Sequence, residues 1–439
     1  MAGLELLVLM LTGFGSIVIL SSHFTGEKFR TKASTAILIL VLLALTILFL
    51  RARNPAGLIG LTSALIGVAS AVASTKLVKE RDKKPFHDAL LLILVASSFL
   101  VAQSNDMVRL FIYWETMSIS ITVLTAFHWE KESIEASLKY IMMCGAGSLI
   151  ALAGIALALI ETGNASMQLS GASLLAKALM VVGFGVEAAV FPLHFWLPDA
   201  HMAAPSTVSA VLSGISIETA AYVISRIAFT DPALRYVLMV SALFGMFVGN
   251  LSAYMQDDIK RLLAYSSVAN VSYIILGLNS ASSMARTYSM LHIFAHGMLK
   301  AALFILAGLF LAVWGTRSLK ELSGKLSSTF FLKFMVVAAS MGLTGIPPFL
   351  TFWSEAFTLM GISVTGSFGL AAAVLLAAAI LLSFGYYFKL FYGLVVGSGE
   401  EKPKLDADAW CAVAAAGILL LSCIIFGLYP GGMIRYFNL

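Results

Sequence analysis

Apolar residues run through this chain in long blocks separated by short polar connectors. Fourteen blocks stand out, near residues 3–21, 33–50, 55–75, 88–104, 107–127, 134–160, 172–192, 204–225, 233–253, 261–280, 285–312, 330–360, 367–395 and 409–428. About 20 apolar residues span a bilayer, so each block predicts a membrane helix. Most are apolar on every face, which fits helices packed among helices and lipid. Two of them are interrupted, one around Pro192, Pro198 and Pro205, the other at Pro347 and Pro348. Proline removes a backbone donor and clashes with the preceding turn, so each helix should break there. The breaks fall on the fourth helix of one five-helix group (about 88–226) and the fourth of the next (about 233–395). Matching breaks in two halves point to inverted repeats with an ion path between them; two unrelated kinks are the plain alternative.

The expected fold is therefore all-α: a polytopic membrane protein of about 14 transmembrane helices, with two inverted five-helix repeats, each containing a broken helix. The expected division is 1–80, an amino-terminal three-helix segment; 81–226, the first repeat; 227–395, the second; and 396–439, a connector and the last helix. The polar stretch near 396–408 is read as an ordinary connector. The first block, with no basic region before it, reads as a membrane helix and not as a removable signal.

Composition agrees. The chain is 60% hydrophobic and 12% charged over 439 residues, which excludes an ordinary soluble domain. Its formal charge of +5 is dispersed among loops, so no nucleic-acid surface is implied. Nineteen Lys and Arg fall in or beside odd-numbered loops and eight in or beside even-numbered ones or the tail, led by Lys76, Lys79, Arg81, Lys83 and Lys84. The positive-inside rule then places the odd loops in the cytoplasm and both termini outside a multi-pass cell membrane. Cys144, Cys411 and Cys423 lie in apolar helices at no metal-ligand spacing and read as packing residues.

Charge inside the blocks is the informative exception. Glu115, Glu187, Glu218, Glu355 and Lys300 lie well within predicted helices. A central ionisable side chain costs roughly 2.5–3.5 kcal/mol on insertion scales, so five together suggest a proton path more than scattered structural pairs. His292, His296 and Lys300 recur every four residues and form one stripe, able to pass protons or simply satisfied by neighbours. His194 and His201 flank Asp199 in the interrupted segment; a hydrated connection between half-helices fits them better than a metal site. His23, His87 and His128 sit at predicted helix ends and read as solvated.

Four segments, in order, resemble the antiporter-like subunits shared by respiratory complex I, group 4 membrane-bound hydrogenases and Mrp-type cation/proton antiporters. They are FIYWETMSIS, FPLHFWLPDAHMAAP with VSAVLSG, LHIFAHGMLKAALFILAG and TGIPPFLTFWSE, all within roughly 85–395. The resemblance implies two half-channels joined by a mid-membrane row of polar residues, with Glu115, Lys300 and Glu355 at family positions. It implies no cofactor or redox centre in this chain. It also implies other membrane subunits as partners, with a redox arm of Fe–S proteins as an indirect one.

The chain departs from that pattern where the family usually has lysines, for it carries Glu187 and Glu218 there. Two nearby carboxylates could share a proton and keep a relay. They could instead help hold Na⁺, or the subunit could have become a spacer. The sequence reading is thus a proton- or sodium-translocating subunit of an energy-converting complex, with a gradient-powered Mrp-type subunit as its near alternative. A stand-alone solute transporter would need more Asn, Gln and Arg inside helices than the chain offers, and a structural scaffold is the other rival.

Overall fold

A computed structural model describes residues 2–24, 26–326, 329–396 and 405–439. Among the described residues the regular elements are all helices, with no strand and two isolated β-bridges. The helices are α1 (Ala2–Ser21), α2 (Glu27–Arg51), α3 (Pro55–Leu77), α4 (Lys84–Gln103), α5 (Met107–Thr125), α6 (Lys131–Thr162), α7 (Leu174–Glu187) and α8 (Trp196–Ala203). Next come α9 (Ser206–Val211), a π-helical turn (Leu212–Ser216) and α10 (Ile217–Ala228), which form one continuous rod. Then follow α11 (Pro232–Tyr254), α12 (Ile259–Leu278), α13 (Ser283–Trp314), α14 (Phe330–Gly342), α15 (Leu350–Ser363), α16 (Ser367–Val395), α17 (Ala407–Leu428) and α18 (Pro430–Phe437).

Among the described residues twelve helical segments are long and apolar enough to cross a membrane, counting α9 to α10 as one. The blocks predicted at 172–192 and 330–360 hold shorter helices, α7 in the first and α14 and α15 in the second, with α8 lying between α7 and α9. The short α18 was not anticipated from sequence, and most of the predicted 396–408 connector lies outside the described residues.

Local chemistry sets these boundaries. Asn54, Asp106, Asp231, Asp258, Ser282 and Asp406 each accept a backbone N–H in the first turn of the helix that follows. Gly163 and Gly315 end the two longest helices at φ of 68° and 72°, in the left-handed region that favours glycine. These features recur in register. Asp106 bridges Ser166 and Asp258 bridges Ser318, 152 residues later in both cases. Helices α6 and α13 both have 32 residues, and their starts are also 152 residues apart.

The two interruptions match as well. The first has Ala189 at φ 52° and a cis Phe191–Pro192 bond; the second has Gly345 at φ 69° and a cis Pro347–Pro348 bond. Pro198 does not break a helix. It is the third residue of α8, in a first turn that needs no donor, and Pro205 directly precedes α9. Helices α3, α4, α10, α12 and α13 are buried on most of their surface, whereas α1, α2 and α16 expose most of theirs. The interior thus centres on the rod α9–α10 against α13.

Candidate ion path

At one end of the interior, Glu187 closes α7 immediately before the first interruption. It is 1% exposed, and its Oε1 accepts a 2.9 Å hydrogen bond from the Tyr140 hydroxyl. Tyr140, on α6, also meets Ser118 Oγ at 3.0 Å, and its ring packs edge-on against Trp196 at 4.8 Å. Trp196 in turn donates to the Val186 carbonyl at 2.8 Å, which ties α8 to the end of α7. Glu115, half-buried on α5, is near enough to Glu187 for their charges to interact. Among the described residues Glu115 Oε1 and Glu187 Oε2 are shielded from solvent without a hydrogen bond, although the Trp114 indole also interacts with the Glu187 carboxylate. Among the described residues, no cation lies within ion-pair distance of either carboxylate.

Glu218 follows the π-helical turn and is fully buried. Its Oε1 pairs directly with Nδ1 of His296 on α13, also fully buried. Buried polar groups require partners, and the contact supplies one for Glu218 Oε1 and His296 Nδ1, while among the described residues Glu218 Oε2 and His296 Nε2 have none. The contact depends on close backbone approach between the two helices. A Cβ added at Gly297 would collide with the Gly214 carbonyl oxygen, and one at Gly214 would sit 3.0 Å from the Gly297 oxygen.

The α13 stripe is real. The His292 and His296 rings stack at 6.0 Å with 12° between their planes. His292 meets Ser354 Oγ at 2.8 Å through Nδ1 and Asn270 Oδ1 at 3.2 Å through Nε2. Lys300 donates to the Leu263 carbonyl at 2.7 Å and to Ser266 Oγ, with its ammonium 5.9 Å from the centre of the Tyr387 ring. Lys300 and Glu218 also interact electrostatically. Glu355, on α15 beside Ser354, rests its carboxylate against Gly345 in the second interruption. There a side chain would meet both a positive φ and that carboxylate.

The polar groups of the first interrupted segment do not gather. Asp199 turns to the surface, pairing with Lys139 at 3.2 Å and Arg261 at 3.1 Å. His194 is buried and stacks on Phe195 at 4.7 Å, with Nδ1 unpartnered. His201 is fully buried, stacks on Phe304 at 4.7 Å, and has no partner on either ring nitrogen among the described residues. Beside Asp199 a cleft of about 700 Å³ opens at the α8–α9 junction, lined in part by Glu80, His128, Lys139, Lys260 and Arg317. At its rim, burial pushes the Glu80 carboxyl up, but the His128 hydrogen bond and the neighbouring His128 and Lys83 charges outweigh this and hold it below its usual value.

Several buried charges escaped the sequence reading. His87, taken as solvated, is fully buried and bridges Asp88 Oδ1 at 3.0 Å to Thr207 Oγ1 at 2.9 Å. Lys84, counted as a loop cation, is 2% exposed and holds both Asp88 oxygens at 2.6 Å and Thr35 at 2.8 Å. Lys260, also counted as a loop charge, is 2% exposed and donates to the His201 and Ala204 carbonyls at the end of α8. The Lys84–Asp88 spacing of four on a helix was the available signal. Asp88→Ala should strand the Lys84 ammonium and destabilise the protein by about 3–5 kcal/mol, read as a lower melting temperature in detergent. The double variant Lys84→Met with Asp88→Leu should recover most of that loss, and a single variant as stable as the parent would refute this account of the cluster.

Fold and site together define a class: a helical membrane protein whose two broken helices flank a buried row of ionisable groups. The profile of the NADH:quinone oxidoreductase/Mrp antiporter transmembrane family matches residues 104–381, and the chain belongs to this family. It is 30% identical over 365 residues to NADH-quinone oxidoreductase subunit N of Desulforudis audaxviator, covering 79% of this chain and 72% of that one. It is also 30% identical over 341 residues to a Na(+)/H(+) antiporter subunit of Alkalihalophilus pseudofirmus, covering 74% and 68%. A chain of the archaeal membrane-bound sulfane sulfur reductase superposes with TM-score 0.89 at 23% identity, covering 99% of this chain and 96% of that one. A chain of the Mrp complex from Dietzia gives 0.87 at 21%, covering 99% and 95%. At these identities the structural likenesses speak for the fold alone. The family read from the four motifs is the family found.

Proposed function

We propose that this chain is an ion-translocating, antiporter-like membrane subunit of a multisubunit energy-converting complex. The observation that carries the reading is the fully buried Glu218–His296 pair, which joins α10 to the α13 stripe. Residues 81–226 and 227–395 form two inverted half-channels, and 14 passes result when α7/α8 and α14/α15 each count as one. Glu115 and Glu187 load the first half-channel, sharing a proton between two carboxylates. Glu218 hands it across to His296, His292 and Lys300 of the second, and Glu355 connects onward to an exit or a neighbouring subunit. Discontinuous helices at mid-membrane suit this work, because their free backbone groups are satisfied only where a path is enclosed by protein or water. Hydration changes and side-chain proton movements around the breaks suffice for the cycle.

Other membrane subunits are the direct partners, and a redox arm with Fe–S proteins is the indirect one. The chain lies in the cell membrane with both termini outside. That asymmetry of Lys and Arg survives removal of the buried Lys84 and Lys260 from the count. A cysteine placed beside Lys79 should react with an impermeant thiol reagent only in inverted vesicles; labelling in intact cells would reverse the topology.

Likeness to part of a Na(+)/H(+) antiporter favours a second reading, a protein powered by ion gradients alone. Purification in mild detergent with mass spectrometry of the co-purifying proteins separates the two. Fe–S proteins in the complex select the redox-driven form, and membrane subunits alone select the gradient-powered one.

A further inference from the structure

Helices α6 and α13 hold equivalent posts in the two halves, yet their interiors differ. Both are 32 residues long, and Tyr140 and His292 are each the tenth residue. Tyr140 meets Ser118 at 3.0 Å and His292 meets Asn270 at 3.2 Å, so the partners too are 152 residues apart. One turn further along α6 lies Cys144, opposite His296 in this register, and another turn on lies Ser148, opposite Lys300. The first half therefore has no imidazole or amine at these three posts. What remains there is one phenol, fully buried, placed between a hydroxyl and a carboxylate.

The phenol's second contact gives it a task. Among the described residues Glu187 has no cation within ion-pair distance; the Tyr140 hydroxyl donates to its Oε1, the Trp114 indole also interacts with the carboxylate, and Oε2 makes no hydrogen bond. A carboxyl group with one anchored oxygen cannot rotate freely, so the other oxygen keeps a fixed direction. We propose that Tyr140 is the positioning residue of the first half-channel, holding Glu187 Oε1 so that Oε2 is the oxygen that takes up and releases the proton. This rests on the reading of Glu187 as a group on the ion path. Trp196 supports the arrangement by packing on the Tyr140 ring while its indole holds Val186, next to Glu187.

The test uses the intact complex purified from membranes and reconstituted in liposomes, with Tyr140→Phe and Glu187→Gln compared with the parent. Phenylalanine keeps the ring against Trp196 and removes only the hydroxyl. Proton transport should fall about tenfold in Tyr140→Phe, with complex assembly unchanged. Infrared difference spectra on a pH step should show a carboxylic C=O band that is missing in Glu187→Gln and moves to higher frequency in Tyr140→Phe, because a hydrogen bond to the carbonyl has gone. A band that Glu187→Gln removes but Tyr140→Phe leaves in place would overturn the proposal while leaving the function intact. No band attributable to Glu187 would instead overturn its place on the path. Lost assembly in Tyr140→Phe with an unshifted band would assign the phenol a packing role only.

Discussion

Glu218→Gln should lower proton translocation by about a hundredfold, near the lower end of what a positioned proton-transfer group contributes. The amide keeps the size of the carboxyl and can still face His296, so packing against α13 is conserved. It cannot hold or give up a proton at neutral pH, and the crossing from α10 to α13 loses its first member. Transport would be followed with a pH-sensitive dye trapped in proteoliposomes, with native electrophoresis confirming an intact complex. His296→Gln should behave alike, since it removes the other member of the same buried pair. Unimpaired transport in Glu218→Gln would make the pair a structural tie and return the spacer reading.

The second large effect is mechanical. Gly297→Leu should prevent accumulation of the complex in the membrane. A Cβ there collides with the Gly214 carbonyl and comes within 3.2 Å of Thr62 on α3, both firmly placed. Overpacking in a dense interior costs about 1–3 kcal/mol where neighbours can yield, and a backbone oxygen yields little. Gly297→Ala should give an intermediate result, a complex that assembles with a lowered melting temperature and weakened transport, because α13 backs away from the π-helical turn and separates His296 from Glu218. Gly145→Ala is the control. A Cβ at that glycine meets nothing closer than Ile141 at 3.9 Å. Equal melting temperatures for Gly297→Ala and Gly145→Ala would show that the two helices adjust more freely than their spacing indicates.

Periodicity and hydropathy carried most of the fold. Long apolar blocks become helices almost unavoidably in a bilayer, so even the limits of α16, read as 367–395, match Ser367–Val395. Prolines marked both interruptions, although Pro198 misled: a first-turn proline looks in sequence just like a helix breaker. The stripe on α13 was legible because spacing of four fixes a shared face. Contacts between distant segments were not. Nothing in the spacing of Glu218 and His296 announces that a separation of 78 positions folds to bring them together. The same holds for Tyr140 and Glu187. Lys84 and His87 were misread because a cluster of charges beside a loop is usually solvated, whereas α2 and α9 close over them and Asp88 through Ser34, Thr35 and Thr207. Asp199 failed in the opposite sense, since a charge among apolar neighbours turned to the surface and found Lys139 and Arg261.

The register of 152 residues shared by the bridges at Asp106 and Asp258 bears on ancestry as well as architecture. An internal duplication would leave such a spacing if insertions were kept out of the helices and the loops that cap them. At the matched posts 140, 144 and 148 helix α6 carries a phenol, a thiol and a hydroxyl, where 292, 296 and 300 of α13 carry two imidazoles and an amine. A chimera with His292, His296 and Lys300 copied onto positions 140, 144 and 148 would test whether the two sets of side chains do different work on matching helices.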